Sequence, residues 1–204
     1  DLPLDTATQI EYLSKGMKPE RLTMNCSGKH AGMLTACVEN KWSIENYLSP
    51  DHSLQKLINE TIEDLSGEKI HKSTFDGCGA PLFAISLIGL AKTFSTLVKS
   101  NDLVYKQIVT ACTTYPELVA GEGRLTTRMM RAVPGLFMKE GAEGIQVCAL
   151  PDGRVIAIKV IDGSWRPVAP IIMEVFKRWG ISMPDESVKI YGGASVIGEV
   201  IAKI

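Results

Sequence analysis

Aromatic residues are scarce, at 6% of the 204 positions, and neither sign of charge dominates, with 22 Lys and Arg against 23 Asp and Glu for a formal net charge of −1. A near-neutral chain with scattered basic residues has no electrostatic footprint for nucleic acid or an anionic membrane, so neither is expected as a partner. No apolar run reaches the roughly 20 residues that span a bilayer. The longest, near Ala80 to Ala91, is broken by Pro81, Ser86 and Gly89. Low-complexity tracts, repeats and linkers are also missing, which predicts one compact unit over 1–204. The cysteines number five. That count is odd, and a chain long enough to bury roughly 70% of its unfolded surface needs no disulfide staples. Free or metal-bound thiols in a reducing cytoplasm are the expectation. No signal peptide is visible. The chain starts at Asp1 rather than Met, and a missing N-terminal segment is expected.

The patterning predicts helices before and after a β-hairpin. A helix is expected from Asp5 to Gly16, with Ile10 and Leu13 on one face, followed by a loop from Pro19 to Thr23. Asn25 to His30 then opens a helix carrying Met33, Leu34, Cys37 and Val38 at helical spacing. Pro50 starts another, with a stripe of Leu54, Leu57, Ile58, Ile62 and Leu65 that Gly67 closes. Lys69 to Thr74 reads as a short strand, Asp76 to Pro81 as a turn-rich segment and Leu82 to Lys99 as a largely buried helix. A further helix is expected at Leu103 to Thr113, and Thr126 or Thr127 is expected to cap one through Met129, Met130 and Arg131. Gly135 to Met138, Ile145 to Leu150 and Val155 to Val160 read as strands, with a hairpin turn at Pro151 to Arg154. Pro167 to Gly180 returns as a helix. This order points to an α+β fold rather than alternating βαβ units.

Cys26 and Lys29 fall three residues apart at a helix start, so both side chains share one face of its first turn. The positive end of the helix dipole favours a thiolate there. Cys78 lies in a Gly-Cys-Gly turn whose flanking residues let the backbone approach a small object closely. Two thiolates and a third protein ligand suit Zn²⁺ with an open position. Lysine ligates only as a neutral amine. Taken alone, the pattern fits two buried cysteines and a surface lysine better. A phosphate-binding loop is excluded at Gly28-Lys29, because Thr23 stands where its first glycine belongs and His30 replaces the Ser or Thr.

Other polar residues admit two readings each. His30 can hold a substrate carboxylate or orient water, or can simply pair with backbone groups. Asp76 can support the metal or bind an ammonium, or can make an Asx turn. Lys139, in Lys139 to Gly144, can activate a hydroxyl nucleophile or sit in a solvated turn. Arg124 can clamp a carboxylate.

Four blocks carry a resemblance: Asn25 to Met33, Asp76 to Pro81, Gly123-Arg124 and Lys139 to Gly144. In order and spacing they resemble the signature blocks of the rhizobial-type, thiol-zinc L-asparaginases, over Asp1 to about Gly198. The resemblance implies a serine β-lactamase- or glutaminase-like fold, an antiparallel sheet flanked by helices, in a homodimer that hydrolyses L-asparagine to L-aspartate and ammonia. It implies Zn²⁺ on Cys26, Lys29 and Cys78, with His30 and Asp76 beside it holding water or substrate, and Lys139 as the base of a Ser–Lys pair. The serines of that chemistry are expected upstream of Asp1, so the 204 residues alone are expected to be inactive. A glutaminase or other amidase, a metal- or amino-acid-binding remnant without turnover, and a structural thiol-rich domain are the rival readings.

Overall fold

The structure, a computed structural model, describes residues 1–204. Its elements are helices with small antiparallel sheets, which makes it the α+β class expected. The chain divides into two compact units, residues 1–89 and 90–204.

The first unit holds α1 (Thr6–Ser14), α2 (Ser27–Glu39), α3 (Ser53–Ser66) and a hairpin of β1 (Lys72–Phe75) with β2 (Pro81–Ala84). Asp5 starts α1, its carboxylate accepting from Thr8 N at 3.0 Å, which satisfies one of the free donors at a helix start. His52 does the same for α3, Nδ1 accepting from Leu54 N at 3.1 Å. Gly67 ends α3 with φ +69°, a conformation that favours glycine. Met33, Cys37, Leu54 and Ala80 form the buried core, and Trp42, Tyr47, Leu48, Ile58 and Cys78 pack on it.

The helix expected over Leu82 to Lys99 is shorter. Residues 81–84 pair in register with β1, Phe75 opposite Pro81 and Lys72 opposite Ala84. The ring of Pro81 cannot donate to a ladder and sits at the first residue of the strand, a position proline tolerates. Ser86 then starts α4 (Leu87–Lys99), its hydroxyl accepting from Gly89 N at 2.9 Å. Nor is α4 largely buried at its start, since Ile88 is 70% exposed.

The remainder of α4 belongs to the second unit, with α5 (Leu103–Thr114), α6 (Pro116–Ala120), α7 (Leu125–Ala132), α8 (Val168–Arg178) and five strands. Strands β3 (Phe137–Gly141), β4 (Ile145–Ala149) and β5 (Val155–Lys159) form one sheet in that order. The central β4 is buried on both faces along most of its length, as a strand covered on both sides must be. A separate hairpin, β6 (Val188–Gly192) with β7 (Ser195–Val200), had no expectation from the sequence. The N-cap of α7 is Arg124 rather than either threonine. Both threonines are buried inside the helix, and Thr127 Oγ1 donates to the carbonyls of Pro116 and Gly121 at 3.1 and 2.6 Å.

Phe176 is the largest fully buried side chain of this unit, 0% exposed among Met129, Leu136, Met138 and Ile172, and stacked on Trp179 at 6.0 Å. Phe176→Ala is expected to lower stability by about 3–5 kcal/mol through lost burial and a cavity. Ile161→Ser, at a fully exposed position, should stay within about 0.5 kcal/mol. Urea titrations of both variants check the contrast.

Candidate metal centre

The N-terminus of α2 and the tip of the β1–β2 hairpin supply the candidate ligands. Cys26 is the N-cap of α2 and makes no side-chain capping bond, so its sulfur is not spent on the helix. Its carbonyl accepts from His30 N at 3.1 Å, closing the first turn and setting Cys26 and Lys29 on one face. Across from them, backbone bonds close the hairpin tip: Asp76 N to Ala80 O at 2.8 Å and Gly79 N to Asp76 O at 2.9 Å. Gly79 has φ +84°, strained for any residue with a Cβ. Gly77 N donates to Asp76 Oδ1 at 2.7 Å, leaving Oδ2 free to face the centre.

Lys29 Nζ donates to Asp76 Oδ2 at 3.0 Å, and the Cys78 thiol lies 3.7 Å from the same oxygen. The sulfurs of Cys26 and Cys78 and a carboxylate oxygen of Asp76 all fall within 4.8 Å of one another. The structure therefore brings together the three expected ligands and Asp76. Two sulfurs, an amine and a carboxylate are a donor set that fits a zinc ion. The site is not sealed, since Lys29 and Asp76 are 44% and 36% exposed at their side chains, so solvent reaches it.

Electrostatics distinguish the members. Burial pushes the Cys26 thiol up, against the pull of Lys29, with Cys78 and Asp76 adding to the rise. Asp76 is held below the usual carboxylate range, chiefly by its bond from Lys29. At Lys29, burial works against the charge, but bonds to Asp76 and Cys78 outweigh it, so the amine sits above its ordinary value. A neutral lysine was the requirement for ligation; without a metal, the side chain is an ammonium serving as counter-charge to Asp76. A bound cation reverses this balance, because it repels the proton it replaces.

His30 lies one residue beyond Lys29, and burial and the Lys29 charge hold its imidazole below its usual value. Its Nδ1 is 2.6 Å from the Tyr47 hydroxyl, and its buried Nε2 meets no protein partner. Sequence reasoning missed Tyr47, which sits 17 residues away in a loop with no periodic signal. Arg124 and Lys139 belong to the second unit. Arg124 Nη2 donates to Glu140 Oε1 at 2.5 Å, and Thr126 Oγ1 to the other carboxylate oxygen at 3.3 Å. Glu140, 14% exposed at its side chain, is thus a second residue the sequence did not single out. Lys139 is exposed, its Nζ donating to the Glu140 carbonyl at 2.6 Å.

Residues 1–197 match the L-asparaginase II family. No curated protein matches the chain.

Cys26→Ser and Cys78→Ser are each expected to reduce bound zinc from about one equivalent to under about 0.1, because oxygen donors replace the soft sulfurs. Elemental analysis of dialysed protein measures this. The depressed Asp76 carboxyl supplies stability that is fully present above the ordinary carboxylate value and fades as pH falls through its lowered value. Asp76→Asn should therefore flatten the acid limb of stability, read from urea midpoints between about pH 2 and 6.

Proposed function

The chain belongs to the L-asparaginase II family, and on that premise we propose that it hydrolyses the side-chain amide of L-asparagine to L-aspartate and ammonia, as the thiol-zinc, rhizobial-type enzymes do. The observation that carries this reading is the convergence of Cys26, Lys29, Asp76 and Cys78 at one point, in a chain that matches an asparaginase family. Cys26, Lys29 and Cys78 hold the zinc ion in this reading, and the ion supplies a fixed positive charge that orients the substrate.

The chain's own residues do the rest. Asp76, already paired with one ammonium, accepts from the α-ammonium of the substrate. His30 Nε2, a buried group with no protein partner, is left to donate to an oxygen of the substrate. In the second unit, Arg124, paired with Glu140, is the candidate group for a carboxylate. Lys139 would take the proton of a serine hydroxyl, a role that no serine of this chain is assigned. That serine attacks the side-chain amide carbon, ammonia leaves, and water resolves the acyl-enzyme. A homodimer, a cytoplasmic setting and a serine β-lactamase-like arrangement of the sheet belong to the same reading. No helix is long and apolar enough to cross a membrane.

A second reading is ligand binding without turnover, in which Lys139 Nζ keeps the Glu140 carbonyl as its partner. Ammonia release from L-asparagine and from L-glutamine separates the possibilities. Asparaginase activity predicts faster release from asparagine, and a loss of at least about 100-fold in Cys78→Ser. Calorimetric binding of asparagine with no ammonia released would support the second reading, and preference for glutamine would overturn the substrate assignment.

A further inference from the structure

Tyr47 bonds to His30, yet neither the family match nor the ligand set gives it a role. Its ring lies edge-on to the imidazole, at 5.8 Å between centroids and 89° between planes. Its hydroxyl oxygen is 2.6 Å from His30 Nδ1, a short bond. The residue is anchored as well. Gln55, 2% exposed on α3, donates from Nε2 to the Tyr47 backbone carbonyl at 2.8 Å, and the Tyr47 side chain packs on the buried cluster of the first unit. A chain of contacts therefore runs from α3 through Gln55 and Tyr47 to His30.

The direction of the Tyr47–His30 bond decides what the imidazole presents. A phenol is a better donor than a neutral imidazole N–H, and an imidazole lone pair is a better acceptor than a phenol oxygen. The short bond is therefore O–H donating to Nδ1. A neutral imidazole that accepts at Nδ1 carries its hydrogen on Nε2. Nε2 is buried and has no protein partner. Buried donors are rarely left unpaired, so this N–H marks a place where a ligand oxygen docks.

We propose that Tyr47 is a positioning residue: by donating to His30 Nδ1 it fixes the Nε2–H tautomer and aims that N–H at an oxygen of the amino-acid substrate. The role rests on the asparaginase reading given above. Tyr47 touches no substrate; it acts through His30. With the tautomer fixed, His30 is a donor only at Nε2 and discriminates for an acceptor. Without the hydroxyl, the ring can place its hydrogen on either nitrogen and present a donor or an acceptor at Nε2.

The test combines a spectrum with a binding measurement. The protein has three histidines, so selective ¹⁵N-histidine labelling, with His30→Gln for assignment, reads the tautomer of His30 directly. The expected spectrum of the unmodified protein at neutral pH has a protonated-type Nε2 and an unprotonated-type Nδ1. In Tyr47→Phe the two nitrogen resonances should move toward each other as both tautomers populate. Zinc content and far-UV circular dichroism should be unchanged, and the Kd for L-asparagine, read by calorimetry, should rise about 10-fold, the scale of other outer-shell losses. A spectrum of the unmodified protein with the hydrogen on Nδ1 overturns the proposal without any variant. So does a Tyr47→Phe protein with unchanged resonances or unchanged affinity for asparagine. If the unmodified protein shows the Nε2–H tautomer but binds no asparagine, the asparaginase reading falls while the assignment of the bond stands.

Discussion

The ion pair of Lys29 with Asp76 is the constraint on which the first unit's chemistry depends. It spans 47 residues and joins the first turn of α2 to the tip of the β1–β2 hairpin. With side chains 44% and 36% exposed, the pair contributes at most about 1 kcal/mol, as exposed pairs do. Its importance is therefore positional. Two thiols and a carboxylate within 4.8 Å repel one another once ionised. The Lys29 ammonium is the charge that offsets this in the metal-free chain. A divalent cation does the same with twice the charge and takes the proton's place on the amine. Anything that pulls Lys29 from Asp76 leaves that carboxylate without its counter-charge.

Legibility from the sequence followed the range of the forces involved. The helix opening at Asn25 to His30 and the turn at Asp76 to Pro81 are set by local pattern, the helical spacing of Met33, Leu34, Cys37 and Val38 and a Gly-Cys-Gly tip, and both were readable. The two strands on either side of Pro151 to Arg154 were also readable, because alternating β-branched residues and a turn fix the register within a few positions; the strand before them was expected at Gly135 to Met138 and runs instead over Phe137–Gly141, so Lys139 and Glu140 lie in it rather than in a turn. Gln55 and Tyr47 were not. Gln55 lies beside the apolar stripe of α3 and is buried at 2% exposure, whereas Leu57 of that stripe is 49% exposed. Amphipathic spacing finds where apolar groups can be buried. It does not find which polar group a loop carbonyl will pull inward. The strand at Pro81–Ala84 was hidden for a similar reason, since its pairing with Lys72–Phe75 is a property of two segments and not of one.

The second unit shows the same division between local and partnered structure. Arg124 was expected to be a free clamp, but its guanidinium is shared with Glu140, whose other oxygen takes Thr126. Gln146, 0% exposed and opposite Glu140 in the β3–β4 register, joins this set through Thr126 at 3.4 Å. A buried network of this kind locks the guanidinium in one orientation, and low local dielectric makes each bond stronger. A carboxylate ligand, were Arg124 to take one as proposed, would have to exchange with Glu140 on the guanidinium rather than simply add to it.

The two units are unequal in how much apolar surface holds them. Thirteen buried apolar residues make the core of the second, and four, Met33, Cys37, Leu54 and Ala80, that of the first. Yet the first unit carries the candidate sulfur ligands, and a zinc ion would require them held to within fractions of an ångström. It does so with directional contacts in place of bulk burial: the Asp76–Ala80 backbone closure, the left-handed Gly79, the Lys29–Asp76 pair and the Gln55–Tyr47–His30 series. A small core with a preset ligand cluster is the arrangement in which metal binding contributes most to folding, because the free energy of coordination adds to a unit with little to spare. The metal, if held as proposed, is then a structural member of the first unit as much as a reagent.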